Sequence, residues 1–164
     1  MRVLGIDPGT AITGYGVIRE HPDGALEALA YGVVRTPARH PMAERLQMLY
    51  EQISALLREH QPDAAAVETL YFGRNVTTAI TVAQGRGVVL LALAQAGVPI
   101  YEYKPAEIKQ AIAGYGNADK GQVQEMVRRL LALESIPKPD DAADGLAVAI
   151  TYLNSSRFER MSRG

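Results

Sequence analysis

Residues 2–7, RVLGID, form a short apolar run stopped by Pro8 and Gly9, the pattern of a buried strand that ends in a turn and leaves Asp7 at its exit. A second strand is predicted over residues 13–18, where Gly14 and Gly16 interrupt Tyr15, Val17 and Ile18, and a third over residues 25–35. Turns near Gly9-Thr10 and Pro22-Asp23-Gly24 join the three into an antiparallel meander. The period then lengthens: Met42, Leu46, Leu49, Ile53, Leu56 and Leu57 recur at helical spacing, with Pro41 placed for a first turn.

Residues 64–67 are again short and apolar and lead into Glu68, which repeats the arrangement at Asp7. From Val76 to Gln95 the pattern is that of a long helix closed by Gly97; small residues at Ala79, Ala83 and Gly87 permit close approach by another element, so this helix is an interface candidate. A fifth strand is expected over residues 98–103 and a short helix over 105–113, ended by Gly114. After the loop GYGN, Asn117 or Asp119 can cap a helix that turns Val123, Met126, Val127, Leu130 and Leu131 inward. Pro137 and Pro139 interrupt the chain, and a last helix begins near Asp140 with Ala143, Leu146, Ile150 and Leu153 on its inner face. These elements predict an α/β domain with a five-stranded mixed sheet over residues 1–156, followed by a polar, frayed tail at 157–164.

Length and composition narrow this picture only slightly. A chain of 164 residues buries one full core, and 48% hydrophobic with 21% charged residues is the balance of an ordinary globule. The absence of cysteine excludes disulfides, thiolate zinc sites and a cysteine nucleophile, so a bound metal must be held by oxygen or by one of three histidines. The N-terminus lacks the pattern of a secretory signal, and the apolar run from Val88 to Ala94 is too short for a bilayer; a cytoplasmic protein without membrane contact is expected. A net charge of −1 is unusual for a nucleic-acid protein. Two bound divalent cations would offset about four negative charges of an acidic metal site and leave the rest of the surface net basic.

Three separate segments deliver acids to the edge of a predicted buried element: Asp7, Glu68, and the pair Asp141 and Asp144 in the first turn of the last helix. Residues three apart share a helix face, and a helix N-terminus favours ionised carboxylates. An all-oxygen cluster of this kind selects hard cations such as Mg²⁺ or Mn²⁺, and a pair of ions about 4 Å apart activates water and stabilises the leaving oxygen of a phosphodiester. Each acid also has a plainer role available. Asp before Pro-Gly commonly starts a turn, Asp at a helix start commonly caps it, and Asp140 suits capping better than metal binding. Glu68, at the end of an apolar strand, has no such local role.

Together these residues give the chain a resemblance to a known family. IDPGT at 6–10, VET at 67–69 and DAADGLAVAI at 141–150 are similar to the three acidic motifs of the RuvC Holliday junction resolvases, and AQGRGV at 83–88 and EIKQAIAGYGNADKGQV at 107–123 extend the likeness over nearly the whole chain. The resemblance implies a ribonuclease H-like fold, a homodimer packed largely through the helix after Glu68, and paired symmetric nicks across a four-way DNA junction that leave a 5′-phosphate and a 3′-hydroxyl. It places the catalytic, metal-holding positions on Asp7, Glu68, Asp141 and Asp144, with two Mg²⁺ per subunit expected and Mn²⁺ as the alternative. Family positions for basic residues that hold phosphate fall on Lys109 and Lys120. Aromatic positions that stack near the junction centre fall on Tyr71 and Phe72, with Tyr71 standing where some relatives have Phe, and Arg74 is placed to contact phosphate. Collaboration with the branch-migration complex, a junction-binding tetramer and an AAA+ motor, is also implied. Two other readings stay open: a nuclease of the same fold acting on RNA, and a junction binder without catalysis. A third, an ATPase sharing the Asp-x-Gly-Thr loop, would need a second domain to clamp its nucleotide.

Overall fold

The computed structural model describes residues 1–69 and 75–164. Strands β1 (Arg2–Asp7), β2 (Ile12–Glu20), β3 (Leu26–Arg35), β4 (Ala64–Glu68) and β5 (Ile100–Tyr103) form one sheet in the order β3-β2-β1-β4-β5. The meander β1-β2-β3 is antiparallel, whereas β4 and β5 lie parallel to β1, each reached through a crossover helix. Helices α1 (Met42–His60), α2 (Val76–Gln95), α3 (Pro105–Ala113), α4 (Lys120–Leu130) and α5 (Asp140–Ser162) flank the sheet, giving the ribonuclease H-like α/β architecture.

Period two decides which residues face which layer. On β1 and β4, Leu4, Ile6, Ala65 and Val67 join Leu49, Ile53 and Leu57 of α1 and Val89, Ala92 and Leu93 of α2 in one core. Val3, Ala64 and Ala66 join α3, α4 and α5 in the other. Asp7 and Glu68 share the parity of Val3 and Ala64, so the alternation that builds the core also turns both carboxylates to the α5 side.

Helix α5 is buried around most of its girth from Ala142 to Leu153, more fully than one inner face predicts, because the sheet covers one side and α3 and α4 the other. The fraying expected from residue 157 is replaced by continued helix to Ser162. Glu20 on β2 explains the difference: Arg157 donates to its Oε1 at 2.8 Å and Arg160 to its Oε2 at 2.9 Å, a contact between segments far apart in the chain. Asp140 differs from expectation too. The cap position is Pro139, no side chain caps the helix, and Asp140 instead lies near Lys120 and Lys138. For α4 the open choice resolves to Asp119, whose carboxylate accepts from the Gln122 N–H at 2.8 Å in a reciprocal capping box. Pro41 stands one position before the first turn of α1.

Helix α2 differs from expectation in its apolar extent. The run from Val88 to Ala94 is short, yet an 18-residue stretch of the 20-residue helix reaches a mean hydropathy of 1.5 and the helix is by length and composition alone apolar enough to cross a membrane. In the fold it lies against α1 and the sheet through Val89, Ala92 and Leu93. Its outer side is a stripe of Val76, Ile80, Ala83, Gly87 and Leu91, all exposed. Ala79, grouped with Ala83 and Gly87 by its size, faces inward instead.

Candidate active site

The four acids named from the sequence converge at one end of the sheet. Asp7 and Glu68 each stand one residue beyond the paired Ile6 and Val67 of neighbouring parallel strands, and their carboxyl groups are hydrogen-bonded to each other. Helix α5 supplies the other two. It comes close to the sheet because glycines line the contact: a Cβ on Gly14, which pairs with Asp7, would lie 1.8 Å from the Asp141 carbonyl oxygen, and one on Gly5 would lie 2.1 Å from that of Gly145. This approach sets the first turn of α5 over the end of β1. One carboxylate oxygen from each of Asp7, Asp141 and Asp144 lies within 4.8 Å of the others.

Both lysines named from the sequence are at the same place. Lys109, Lys120, Asp7, Glu68 and Asp144 line a cavity of about 350 Å³, closed by Pro105, Ile108 and Ala118 among others. Lys120 Nζ is 3.9 Å from Asp144 Oδ2 and 3.6 Å from Asp140 Oδ2, while Lys109 acts on the charge of Glu68. Tyr71, Phe72 and Arg74 lie outside the described residues. Arg86 has the sequence setting of ordinary helix-surface charge, yet its side chain is only 16% exposed and it lines a second cavity with Asp7, Pro8, Glu68, Thr69, Val82 and Pro105. It is the sole charged residue of α2, and a lone charge in an apolar helix is the signal that marks it.

Burial and mutual repulsion dominate the electrostatics. The Asp7 carboxyl is pushed up to about 9, first by burial and then by the charges of Glu68 and Asp144. Burial also raises Glu68, against a hydrogen bond from Asp7 and the nearby Lys109 and Lys120. It raises Asp144 as well, against Lys120 and with repulsion from Asp141. Four carboxylates are thus gathered where two lysines compensate them incompletely. A hard divalent cation fits this all-oxygen donor set and would supply the missing charge.

A pH dependence follows for the metal-free protein. Because Asp7 is raised from an ordinary 3.8 to about 9, the folded state binds a proton that the unfolded chain has released across that window. Stability is therefore greatest at the acidic end and declines as pH rises through the folded value. In chelator, melting temperature should fall between pH 6 and pH 8.5, by about 2–4 °C for each kcal/mol lost. Added Mg²⁺ should reverse the fall, and Asp7→Asn should flatten it. A melting temperature that rises over the same interval would show that the acids are not repelling one another.

Comparison with known proteins covers nearly the whole chain. The family model described as crossover junction endodeoxyribonuclease RuvC matches residues 3–152. A curated crossover junction endodeoxyribonuclease RuvC from Desulfitobacterium hafniense is 60% identical over 155 residues, covering 94% of this chain and 93% of the relative. Its counterpart from Chloroflexus aggregans is 59% identical, covering 93% and 92%. Among solved structures, Thermus thermophilus RuvC superposes with a TM-score of 0.90 at 38% identity, covering 97% of both chains. The same protein in complex with a Holliday junction substrate superposes at 0.92, covering 97% of this chain and 96% of that one.

Proposed function

Since the chain belongs to the RuvC family of crossover junction endodeoxyribonucleases, we propose that it resolves four-way DNA junctions by paired nicks, with Asp7, Glu68, Asp141 and Asp144 holding two Mg²⁺ ions. The observation that carries this reading is that Asp7 and Asp144 cluster with Asp141 and line one open cavity with Glu68, Lys109 and Lys120, the acids coming from three chain segments. Four carboxylates match the charge of two divalent ions. Divalent ions there would polarise the scissile phosphoryl group and lower the pKa of the attacking water. The protein's own part is placement. The strand ends and the first two turns of α5 place the acids, and Lys109 and Lys120 hold phosphate and offset its developing charge. Tyr71 and Phe72 are proposed to stack on bases near the crossover, with Arg74 on adjacent phosphate.

Cleavage of a labelled synthetic four-way junction, set against a duplex with the same arms, tests the proposal in Mg²⁺, Mn²⁺ and chelator. Symmetric, metal-dependent nicking of the junction alone is expected. Tight binding without cutting under either metal would favour a silent junction binder, and inactivity on both DNAs with cleavage of structured RNA would favour the RNA nuclease.

The exposed stripe of α2 supports a homodimer, since Gly87, with open space beside it, and Ala83 let two helices approach closely while Ile80 and Leu91 supply apolar surface. Two-fold symmetry would match the near symmetry of an open junction and present two sites at equivalent phosphates. Placing a charge in the stripe, as in Leu91→Arg, is expected to yield monomers by analytical ultracentrifugation and to uncouple the two nicks; a dimer unchanged by this variant would move the interface elsewhere. Collaboration with a branch-migration complex, a junction-binding tetramer and an AAA+ motor, completes the proposed setting.

A further inference from the structure

Arg86 reaches the active site from behind the sheet. Its Nη1 donates to the main-chain oxygen of Glu68 at 3.1 Å, and its Nη2 is paired with the carboxylate of Glu102 on β5. Val67 lies opposite Glu102 and Glu68 opposite Tyr103, so the guanidinium ties together the ends of two adjacent strands. Nearby, the same helix grips the turn that follows Asp7. Thr10 Oγ1 donates to the Thr81 carbonyl, and Gly85 packs so tightly that a Cβ would lie 2.9 Å from Thr10 Oγ1 and 3.1 Å from the Gly9 carbonyl carbon.

We propose that Arg86 is a positioning residue that holds the exit of β4 against β5 and thereby sets where the Glu68 carboxylate stands relative to Asp7. This rests on the reading of Glu68 as a metal-holding acid. Direct use of Arg86 on phosphate is the competing role, because Arg86 lines a cavity of about 290 Å³ next to the acids. Its present partners argue against that use. Turning the guanidinium toward DNA would strip the part-buried Glu68 carbonyl of its donor and release Glu102, whose 46% exposed carboxylate returns to water at little cost, so the main-chain contact is what holds Arg86 away from phosphate.

Mn²⁺ binding, followed by electron paramagnetic resonance on the whole protein without DNA, separates the two roles. Arg86→Gln is expected to weaken Mn²⁺ binding about tenfold, as loss of a supporting partner behind a ligand does. Single-turnover junction cleavage should slow at low Mn²⁺ and recover at high Mn²⁺, while junction affinity in chelator and its salt dependence stay within twofold. Glu102→Gln should shift Mn²⁺ binding the same way, and the double variant should cost less than the two singles added. Unchanged Mn²⁺ binding in these variants overturns the proposal, as does a salt dependence reduced by about one phosphate contact with metal binding intact. Should Arg86→Gln fail to fold, Arg86→Lys and the near-isosteric Glu102→Gln carry the same decision. Glu68→Gln is the control. If it leaves Mn²⁺ binding unaltered, the reading of Glu68 itself falls and the proposal with it; if it weakens binding and the Arg86 and Glu102 variants do not, the proposal alone falls.

Discussion

Asp7→Asn is expected to reduce junction cleavage by about a thousandfold or more while leaving junction affinity in chelator close to that of wild type. Asp7 is the acid nearest the middle of the cluster: it is hydrogen-bonded to Glu68 and repelled by Glu68, Asp144 and Asp141. Asparagine keeps the shape but removes the charge that holds a divalent ion. Metal stabilisation of a phosphoryl transition state is worth several kcal/mol, and about 1.4 kcal/mol is a factor of ten in rate. Binding in chelator should change little near neutral pH, because without metal the Asp7 carboxyl, pushed up to about 9, already carries its proton, so asparagine removes no charge that repels the entering phosphate. Single-turnover cleavage and a gel-shift titration in chelator, made on one preparation, separate the two effects. Parallel loss of both would mean a misfolded site, and cleavage within tenfold of wild type would remove Asp7 from the metal-holding set.

Most of that site is legible in the amino-acid sequence, because its acids sit where local patterns end. Period two along β1 and β4 assigns Asp7 and Glu68 to a common face, and period 3.6 assigns Asp141 and Asp144 to one turn. The convergence of these faces is a property of tertiary packing, and the glycines that permit it have the sequence pattern of interruptions in a strand. Gly14 is such an interruption; in the fold it is what allows α5 to approach. Features that local pattern misplaces are those whose partners lie far along the chain. Arg157 and Arg160 have the pattern of a loose tail because nothing local points to Glu20. Asp140 has the pattern of a cap because its Lys120 partner precedes α5 by a whole helix and a loop. For Arg86 the local pattern does hold a clue, a single charge in an apolar helix, but spacing does not reveal its partners on β4 and β5.

Gly14→Ala is the second large effect, and it tests the packing rather than the chemistry. A methyl group there would stand 1.8 Å from the Asp141 carbonyl oxygen and 2.5 Å from its carbonyl carbon. Both are backbone atoms, so no side-chain rotation relieves the overlap, and the first turn of α5 must withdraw by more than about 1 Å to reach ordinary contact. A displacement of that size in a positioned group costs roughly a hundredfold in rate. Overpacking a close contact costs about 1–3 kcal/mol, which lowers the melting temperature without unfolding a domain of this size. The expected result is thus a folded protein with weakened Mn²⁺ binding and slowed cleavage that excess metal restores only in part. Asp141→Asn on the native backbone separates loss of charge from loss of place. If Gly14→Ala melts and binds Mn²⁺ as wild type does, the close seating of α5 on β2 is not what brings Asp141 and Asp144 to Asp7.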